Sequence, residues 1–390
     1  MRKECPICGS KTKTLLKTVR FAVPEYFHLP NQYDVVSCDQ CGCCYAATEA
    51  SLGDYDHYYS QCNFYSGVPN EQDWQIYGNN RISELVTAIV DRNGLLLDIG
   101  FGKGNLMCAL REKGFRHVCG LDPSKDSIQR MREYGFPVYE GSIFGSTVPA
   151  LAGKCDCIFL IDVLEHLLYP DLAIDKIKSY LKEQGTLIIS VPNYAALLNT
   201  DLYSAPPIIP DQFNQEHINY FSPVSLDNLL RKHGFARVEN EHAICFEKNN
   251  GAELLVAYQY SETSGKPKQF QSDSYCPQVL QKYFEQNNIL ERTIDEKLAL
   301  FSNDGRPVYV WGTGSYAMWL LANTAAENLD IEAFIDNNPT KLGKTLNGIQ
   351  IISPKEMKSD IPILICAMRY SSEIIEQIKM GQLLNPYFVI

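Results

Sequence analysis

The sequence lacks a long apolar run and lacks an excess of positive charge. Its 390 residues carry 46 acidic and 35 basic side chains, which give a formal net charge of −11 at pH 7. An acidic chain is not built to bind the phosphates of a nucleic acid, and a membrane span needs about 18 apolar residues in a row. The first residues, MRKECPIC, also lack the apolar segment of a secretion signal. We expect a cytoplasmic protein whose partners are neither nucleic acid nor membrane.

Cysteine is abundant, with 14 in the chain, and we expect reduced thiols because several lie singly in apolar segments. Two CxxC pairs stand near the start, Cys5 with Cys8 and Cys38 with Cys41, each followed by glycine. Such pairs present four thiolates to a structural Zn²⁺ and leave no position open for catalysis. Redox pairs or buried thiols are the alternatives, and a sulfur at 43 or 44 could replace one ligand.

The stretch LLLDIGFGKGNLM (95–107) predicts a buried parallel strand, a glycine-rich loop and a helix. Glycine lets the backbone take positive φ and pass close to a ligand. Asp98 ends this strand, and Asp122 ends the next predicted strand, HVCGLD. A carboxylate at the second place can accept hydrogen bonds from both hydroxyls of a ribose. An α/β domain without a cofactor is the alternative.

The series continues with FPVYEGSIF, CDCIFLIDVLEHLLYP and LKEQGTLIISVPN, and this order resembles class I S-adenosylmethionine-dependent methyltransferases over about residues 75–245. The resemblance implies an α/β, Rossmann-like core that binds S-adenosylmethionine. At Ser142 the family often has aspartate, so this position departs from its pattern. The cofactor contacts that the resemblance implies are Asp98, Gly100, Phe101, Gly102, Gly104, Asp122, Pro123, Ser142 and Asp162.

The whole chain resembles the zinc-containing methyltransferases of nucleotide-linked deoxysugars, which usually act at carbon. The resemblance rests on the cysteine module, the core and a C-terminal unit that begins RPVYVWGTGSYAM. It implies a nucleotide-sugar substrate, an N-terminal zinc ribbon and a C-terminal α/β half-Rossmann domain, in an enzyme of polysaccharide or glycosylated-metabolite synthesis. The predicted segments are 1–74 (zinc module and Tyr-rich lid), 75–259 (methyltransferase domain), 260–304 (linker and connecting helix) and 305–390 (C-terminal domain).

The C-terminal unit contains Gly312, Gly314 and Ala317 in a loose dinucleotide pattern, and Asp336 ends the next predicted strand. Three interpretations stay open: binding of NAD by an NAD-dependent sugar-modifying enzyme, a substrate phosphate held at Gly314, and plain packing.

Residues 212–222, QFNQEHINYFS, are similar to the loop of sugar C-methyltransferases that reads Tyr-His-Glu-His, a hydrophobic pair and Phe-Ser. Glu216, His217 and Tyr220 match that loop, whereas Asn214 and Gln215 replace its first Tyr and His. The resemblance implies that Glu216 and His217 act as an acid–base pair over the sugar and that Tyr220 contacts it.

Methylation at carbon needs a base, because a sugar carbon becomes nucleophilic only after a proton next to a ketone is removed. His217 has a suitable intrinsic pKa, Glu216 could orient it or act itself, and His166 is the second candidate base. Methyltransferases with other acceptors carry a similar loop in which Ser222 caps a helix, SPVSLDNLLRKHGF. O- or N-methylation of another small acceptor is therefore the alternative function.

A Tyr-rich segment, residues 54–78, resembles a lid that contributes a tyrosine to the sugar pocket. Tyr58, Tyr59 and Tyr65 are candidates, and Tyr59 is our choice for a substrate contact. Asn193, at the end of LIISVPN, is a further predicted substrate contact. The oligomeric state is open.

Overall fold

The computed structural model describes residues 2–25, 27–61, 73–199, 201, 208–239, 252–262, 269–301, 305–367, 370–381 and 383–390, with side chains for all of these except 61 and 73–80. The strands are β1 Lys13–Arg20, β2 Gln32–Cys38, β3 Cys44–Ala47, β4 Leu95–Ile99, β5 His117–Asp122, β6 Val138–Glu140, β7 Cys155–Ile161, β8 Leu181–Pro192, β9 Asn219–Tyr220, β10 Phe235–Arg237, β11 Glu253–Tyr260, β12 Val308–Trp311, β13 Ile331–Ile335, β14 Thr345–Leu346, β15 Ile349–Ile352, β16 Ile363–Ile365 and β17 Tyr387–Val389. The α-helices are α1 Leu52–Gln61, α2 Asp73–Ile89, α3 Asn105–Glu112, α4 Lys125–Glu133, α5 Pro170–Lys178, α6 Ile209–Gln212, α7 Pro223–Lys232, α8 Tyr275–Phe301, α9 Ser315–Asn323 and α10 Ser371–Met380. Short 3₁₀ helices span Leu164–His166, Tyr194–Ala196, Ala325–Asn328 and Pro354–Glu356.

The chain divides into two compact units. The first comprises Met1–Leu16, Val35–Ala205 and Glu216–Leu280, and the second comprises Lys17–Asp34, Pro206–Gln215 and Gln281–Ile390. The four cysteines of the predicted zinc module and the methyltransferase-like core belong to the first unit, whereas residues 17–34 of the predicted segment 1–74 belong to the second. No helix within the described ranges is long and apolar enough to cross a membrane.

The first unit is built on a seven-stranded sheet with the order β10-β11-β8-β7-β4-β5-β6. Strands β4 to β8 are parallel, whereas β11 runs antiparallel to both β8 and β10. The central strands are apolar and buried, as parallel strands covered on both faces must be. This sheet confirms the predicted Rossmann-like α/β core.

The strand order reverses at β4, which lies between β5 and β7. Ligands of open α/β sheets bind in the crevice outside the carboxyl ends of the strands at such a point. The loops that follow β4, β5 and β7 therefore meet at the edge where we expect the site.

The cysteine-containing part of the first unit is joined to the core of that unit by hydrogen bonds between backbones. Strand β3 pairs with β9 in antiparallel register, Cys44 opposite Tyr220 and Tyr45 opposite Asn219. Helix α7 follows β9, and the Ser222 side chain caps it by accepting a hydrogen bond from the Ser225 amide in a full capping box. The predicted cap is confirmed, and the segment that carries Glu216 and His217 leads directly into β9.

The second unit contains a six-stranded sheet with the order β14-β15-β13-β12-β16-β17. All its strand pairs are parallel except β14 with β15. After β15 the chain forms only the 3₁₀ turn Pro354–Glu356, which the Ser353–Glu356 capping box closes and extended backbone at Met357 follows. The edge strand β17 was not predicted.

Candidate active site

The glycine-rich loop after β4 takes a backbone shape that only glycine accepts without strain. Gly100, Gly102 and Gly104 have φ of 73°, 51° and 77°. A Cβ on Gly104 would lie 2.2 Å from the Met131 sulfur, and one on Gly100 would lie 2.7 Å from Cγ2 of Val163. The loop therefore packs tightly on α4 and on the segment that follows β7.

The Asp122 carboxylate, at the end of β5, fixes this loop. Its two oxygens accept hydrogen bonds from the amides of Gly102 at 3.0 Å and of Ser124 at 2.8 Å, and Arg130 donates to the Gly102 carbonyl. Burial raises the pKa of Asp122, although these hydrogen bonds and the Arg130 charge act in the opposite direction. Each carboxylate oxygen keeps capacity to accept a further hydrogen bond, as a ribose hydroxyl requires.

Asp98 lies at the end of β4 and is only 3% exposed. Burial, and secondly the charge of Asp122, raise the pKa of Asp98 to about 8. A carboxyl group in this state becomes ionised when a positively charged ligand binds beside it. Asp98 is therefore suited to the cationic methionine portion of S-adenosylmethionine.

The other predicted cofactor residues surround these two carboxylates in different ways. The Phe101 side chain packs on Gly120 within the core, since a Cβ there would lie 2.4 Å from its ring. Pro123 follows Asp122 directly, and Ser142 lies beyond Gly141, whose amide donates to the Asp122 carbonyl. Ser142 itself accepts a hydrogen bond from the Phe144 amide.

Asp162, just after β7, has φ of 54°, which is uncommon for a residue other than glycine and clusters at functional sites. Ser190 donates to its carboxylate at 3.4 Å. Burial, and secondly the charge of Glu253, raise the pKa of Asp162 to about 7. Glu253, at the start of β11, is a neighbour that we did not predict.

A cluster of Glu165, His166 and His217 lies next along the chain. The 3₁₀ helix after β7 supplies the first two, and the segment before β9 supplies the third. One nitrogen or oxygen from each side chain lies within 4.8 Å of the others, and the two imidazole rings are 4.9 Å apart at their centres in an edge-to-face arrangement.

The buried Asn219 side chain connects the two segments of this cluster. Its amide nitrogen lies 3.2 Å from the carbonyls of Leu164 and Glu165 and 2.8 Å from that of Leu167, and the Ile218 amide donates to the Glu165 carbonyl. These contacts bring residues 216–219 onto the 3₁₀ helix and determine where His217 lies.

Further hydrogen bonds orient the candidate bases. The Nδ1 of His166 lies 3.1 Å from the Glu216 carbonyl, which can only accept, so this nitrogen carries the proton. The Tyr194 hydroxyl lies 3.2 Å from Nδ1 of His217. The Tyr58 hydroxyl donates to the Glu216 carboxylate at 2.6 Å.

Burial shifts the pKa values of two side chains in the cluster, Glu165 and His166, toward their uncharged forms. Glu165 is 1% exposed, and burial, followed by the charge of Asp162, raises its pKa well above the usual range. Burial also lowers the pKa of His166 to about 4. Burial therefore favours the uncharged forms of both Glu165 and His166.

The predicted substrate residues fall in different surroundings. The Tyr59 ring centre is 6.1 Å from that of His166. Asn193 caps the turn Tyr194–Ala196 through a hydrogen bond from the Ala195 amide, and Tyr220 is fully buried against Tyr194. Tyr65 lies outside the described residues.

Sequence reasoning left Tyr194 and Glu253 out of the candidate site, and it placed Glu165 beside His166 after the fourth strand of the core without giving it a role. For Glu165 a signal existed, since it adjoins His166 directly after an apolar strand. For Tyr194 and Glu253 we find no local signal, because only the folded chain brings them to His217 and Asp162.

The four predicted zinc ligands converge. One sulfur from each of Cys5, Cys8, Cys38 and Cys41 lies within 4.8 Å of the others, and the distances are 3.6 Å for Cys5–Cys41 and 3.4 Å for Cys8–Cys38. After each pair comes a glycine with φ of 74° whose amide donates to the carbonyl of the pair's first cysteine. The donor set and its spacing fit a four-thiolate zinc site.

In the second unit, Gly314 precedes α9 with φ of −87°. The Asp336 carboxylate already forms an ion pair with Lys341 at 3.0 Å and accepts hydrogen bonds from Thr313 and the Asn338 amide. A ligand at Gly314, whether NAD or a substrate phosphate, stays a prediction.

Comparison with known proteins agrees with this geometry. Residues 74–240 match a family described as a methyltransferase domain, and residues 306–383 match one described as C2185-like, N-terminal. The C-methyltransferase NovU of Streptomyces niveus is 24% identical over 319 residues, which are 76% of this chain and 73% of that protein.

Two further proteins are similar over smaller parts. A tRNA U34 carboxymethyltransferase of Shewanella halifaxensis is 29% identical over 122 residues, 28% of this chain and 37% of that protein. The alignment with the structure of magnesium protoporphyrin IX methyltransferase from Synechocystis PCC 6803 covers 54% of this chain and 100% of that protein, at 15% identity and a TM-score of 0.39. With the family match and the sheet order, the chain is an S-adenosylmethionine-dependent methyltransferase.

Replacing Asp122 by alanine removes the acceptor that fixes the glycine loop and faces the ribose position. We expect affinity for S-adenosylmethionine to fall about 10- to 100-fold, as for loss of one or two hydrogen bonds to a charged group. Calorimetric titration measures this, with Asp126→Asn, an exposed carboxylate on α4, as the matched control. Equal affinities for Asp122→Ala and the control would contradict the assignment.

The raised pKa of Asp98 predicts a pH dependence of stability. Between the ordinary value of 3.8 and about 8, the folded chain keeps a proton that the unfolded chain has lost, so the free energy of unfolding falls as pH rises through this window. The slope from one such group is at most about 1.4 kcal/mol per pH unit. Denaturant titrations at several pH values in this window measure the free energy of unfolding. It should fall less steeply with pH for Asp98→Asn than for wild type or Asp126→Asn. Equal slopes in all three proteins would show that Asp98 does not cause the dependence.

Proposed function

We propose that this S-adenosylmethionine-dependent methyltransferase methylates a carbon atom next to the ketone of a nucleotide-linked deoxysugar. The observation that carries the proposal is the group of candidate bases Glu216, His217 and His166. Val163, one turn before His166, touches the glycine loop at Gly100, so these bases adjoin the cofactor edge of the sheet. The similarity to a C-methyltransferase over 76% of the chain supports methylation at carbon.

Methylation at carbon requires two changes in bonding. A base takes the proton from the carbon next to the ketone, and the electron pair of that C–H bond remains in the enolate. When bound, S-adenosylmethionine would supply a methyl group on a positively charged sulfur. The enolate pair would form the new C–C bond, and the sulfur would leave with the pair of the broken C–S bond. The protein's part is to remove the proton and to align donor and acceptor.

Three side chains are suited to the proton transfer. Tyr58 holds the Glu216 carboxylate through a 2.6 Å hydrogen bond, Tyr194 holds His217, and the Glu216 carbonyl fixes the ring of His166. Tyr59 lies beside His166 and is the proposed contact for the sugar ring. An acceptor hydroxyl or amine has its own lone pair and needs less of this apparatus.

We also propose that the four-cysteine cluster holds a structural Zn²⁺. Such an ion would fix the turn before β1 to the turn after β2. Strand β3 follows the second turn and pairs with β9 next to His217. Metal analysis should find zinc in wild type and in Cys108→Ser, which lies outside the cluster on α3. Cys38→Ser should lose zinc and unfold at lower temperature; zinc retained in Cys38→Ser would exclude this ligand set.

A cytoplasmic location is part of the proposal. All the cysteines among the described side chains are free, and thiols in this number persist where the surroundings are reducing.

Exchange of the sugar proton with solvent tests methylation at carbon. With S-adenosylhomocysteine in place of the methyl donor, a keto-deoxysugar nucleotide in D₂O should take up deuterium next to its ketone, because proton removal does not need the methyl group. The rate should fall about 10²- to 10⁴-fold in the variant that lacks the base, from among Glu216→Gln, His217→Gln and His166→Gln. His117→Gln, on an exposed position at the start of β5, is the control.

The test is completed by incubating the enzyme and S-adenosylmethionine with each of a panel of nucleotide sugars and identifying the products by mass spectrometry and NMR. A new carbon–carbon bond next to the ketone supports the proposal. Methylation at oxygen or nitrogen without deuterium uptake would reject it in favour of the alternative acceptor class.

A further inference from the structure

We propose that Glu165, His166 and His217 bind a divalent metal ion, at a site separate from the cysteine cluster. Each of the three offers a ligand atom within 4.8 Å of the other two. Atoms bound to one metal at 2.0–2.2 Å are at most about 4.4 Å apart, so small side-chain movements suffice for coordination. Two imidazoles and one carboxylate on one side of an ion leave its remaining positions open to a ligand.

The histidines are oriented as metal ligands are. The proton on Nδ1 of His166 is donated to the Glu216 carbonyl at 3.1 Å, so Nε2 keeps its lone pair and faces Glu165, whose Oε1 is 3.7 Å away. His217 contacts the Tyr194 hydroxyl through Nδ1. Metal-bound histidines usually make such a contact through the ring nitrogen that does not bind the ion.

Glu165 gives an independent indication of a ligand. Its side chain is 1% exposed, and its Oε2 has no hydrogen-bond partner among the described residues. A buried carboxyl oxygen without a partner carries a cost in free energy. Within the described part of the chain, the basic side chain that contacts the Glu165 carboxyl group is His166, at 3.7 Å, and no lysine or arginine forms an ion pair with it. A metal ion would satisfy this oxygen.

The ligand types select the class of ion. Nitrogen ligands disfavour Mg²⁺ and Ca²⁺, which prefer oxygen, and the absence of thiolate distinguishes the site from the cysteine cluster. Mn²⁺, Fe²⁺, Co²⁺, Ni²⁺ and Zn²⁺ accept a set of two imidazoles and one carboxylate. The site therefore takes a divalent transition metal.

The ion would also narrow the choice of base, a step that rests on the proposed function. An imidazole that binds a metal has no lone pair left for a proton, which leaves the Glu216 carboxylate, held by Tyr58, as the base. Positive charge beside it would favour the negative charge that develops on the ketone oxygen.

Manganese is a suitable probe because it binds nitrogen and oxygen but is a poor partner for four thiolates. The chain, with its cysteine cluster loaded with zinc, is titrated with Mn²⁺, and the electron paramagnetic resonance signal of free Mn²⁺ is followed. We expect one bound Mn²⁺ per chain in wild type. Glu165→Gln and His166→Gln should weaken binding by at least about tenfold, since changes even in the outer shell of metal sites have effects of 10- to 100-fold.

Glu112→Gln and His117→Gln are the matched controls, because both side chains are exposed and distant in sequence from the cluster. Each variant is first checked for calorimetric binding of S-adenosylmethionine, which reports an intact first unit. The proposal is overturned if folded wild type binds no Mn²⁺ and no Co²⁺, or if the cluster variants bind Mn²⁺ as tightly as the controls.

The two proposals fail separately. Deuterium uptake without Mn²⁺ or Co²⁺ binding would overturn the metal site and keep methylation at carbon. Mn²⁺ binding that depends on Glu165 and His166, without deuterium uptake on any sugar, would keep the metal site and overturn the sugar reaction.

Discussion

The candidate chemistry depends on one buried side chain, Asn219, that holds two distant parts of the chain together. Its amide contacts three carbonyls of the turn between Leu164 and Leu167, and it is 1% exposed. A buried amide without such hydrogen bonds would cost free energy of folding. This cost favours the fold in which the segment around Asn219 packs on the turn. Because His217 is two residues before Asn219 and His166 lies inside the turn, the same interaction sets the separation of the two imidazoles.

Burial of carboxyl groups is the second common feature of the site. Asp98, Asp162 and Glu165 all lie at the carboxyl ends of β4 and β7, and burial is the first cause of the raised pKa of each. Carboxyl groups kept neutral in this way respond to cations: a positively charged ligand converts them to anions and is held by them in turn. A protein that binds a sulfonium compound benefits from this arrangement, because the neutral product of methyl transfer is then held less strongly.

Local sequence patterns predicted the part of the site that depends on neighbouring residues. Asp98, the three glycines and Asp122 belong to strand–loop–helix units whose geometry is fixed within each unit, so their arrangement follows from spacing and residue type. The meeting of Glu165 with His217 was beyond that reasoning, because it requires the Asn219 contacts and the pairing of β3 with β9. Tyr194 next to His217 and Glu253 next to Asp162 arise in the same way. The same limit applies to the second unit. Its α/β character could be predicted from the sequence, whereas the edge strand β17 and the single turn at Pro354 depend on pairing and capping in the folded chain.

The pairing of β3 with β9 has a consequence for how the protein is made. Contacts that close long loops form late in folding, since the chain must lose the entropy of a large loop before it gains the contact. The Tyr58–Glu216 hydrogen bond joins residues 158 positions apart, and the Arg2–Ile218 bond spans 216. The glycine loop and Asp122, by contrast, come from one stretch of the chain. A nascent chain would therefore acquire its cofactor-binding part before the groups that act on the acceptor, and it would gain reactivity only after most of the first unit has been synthesised.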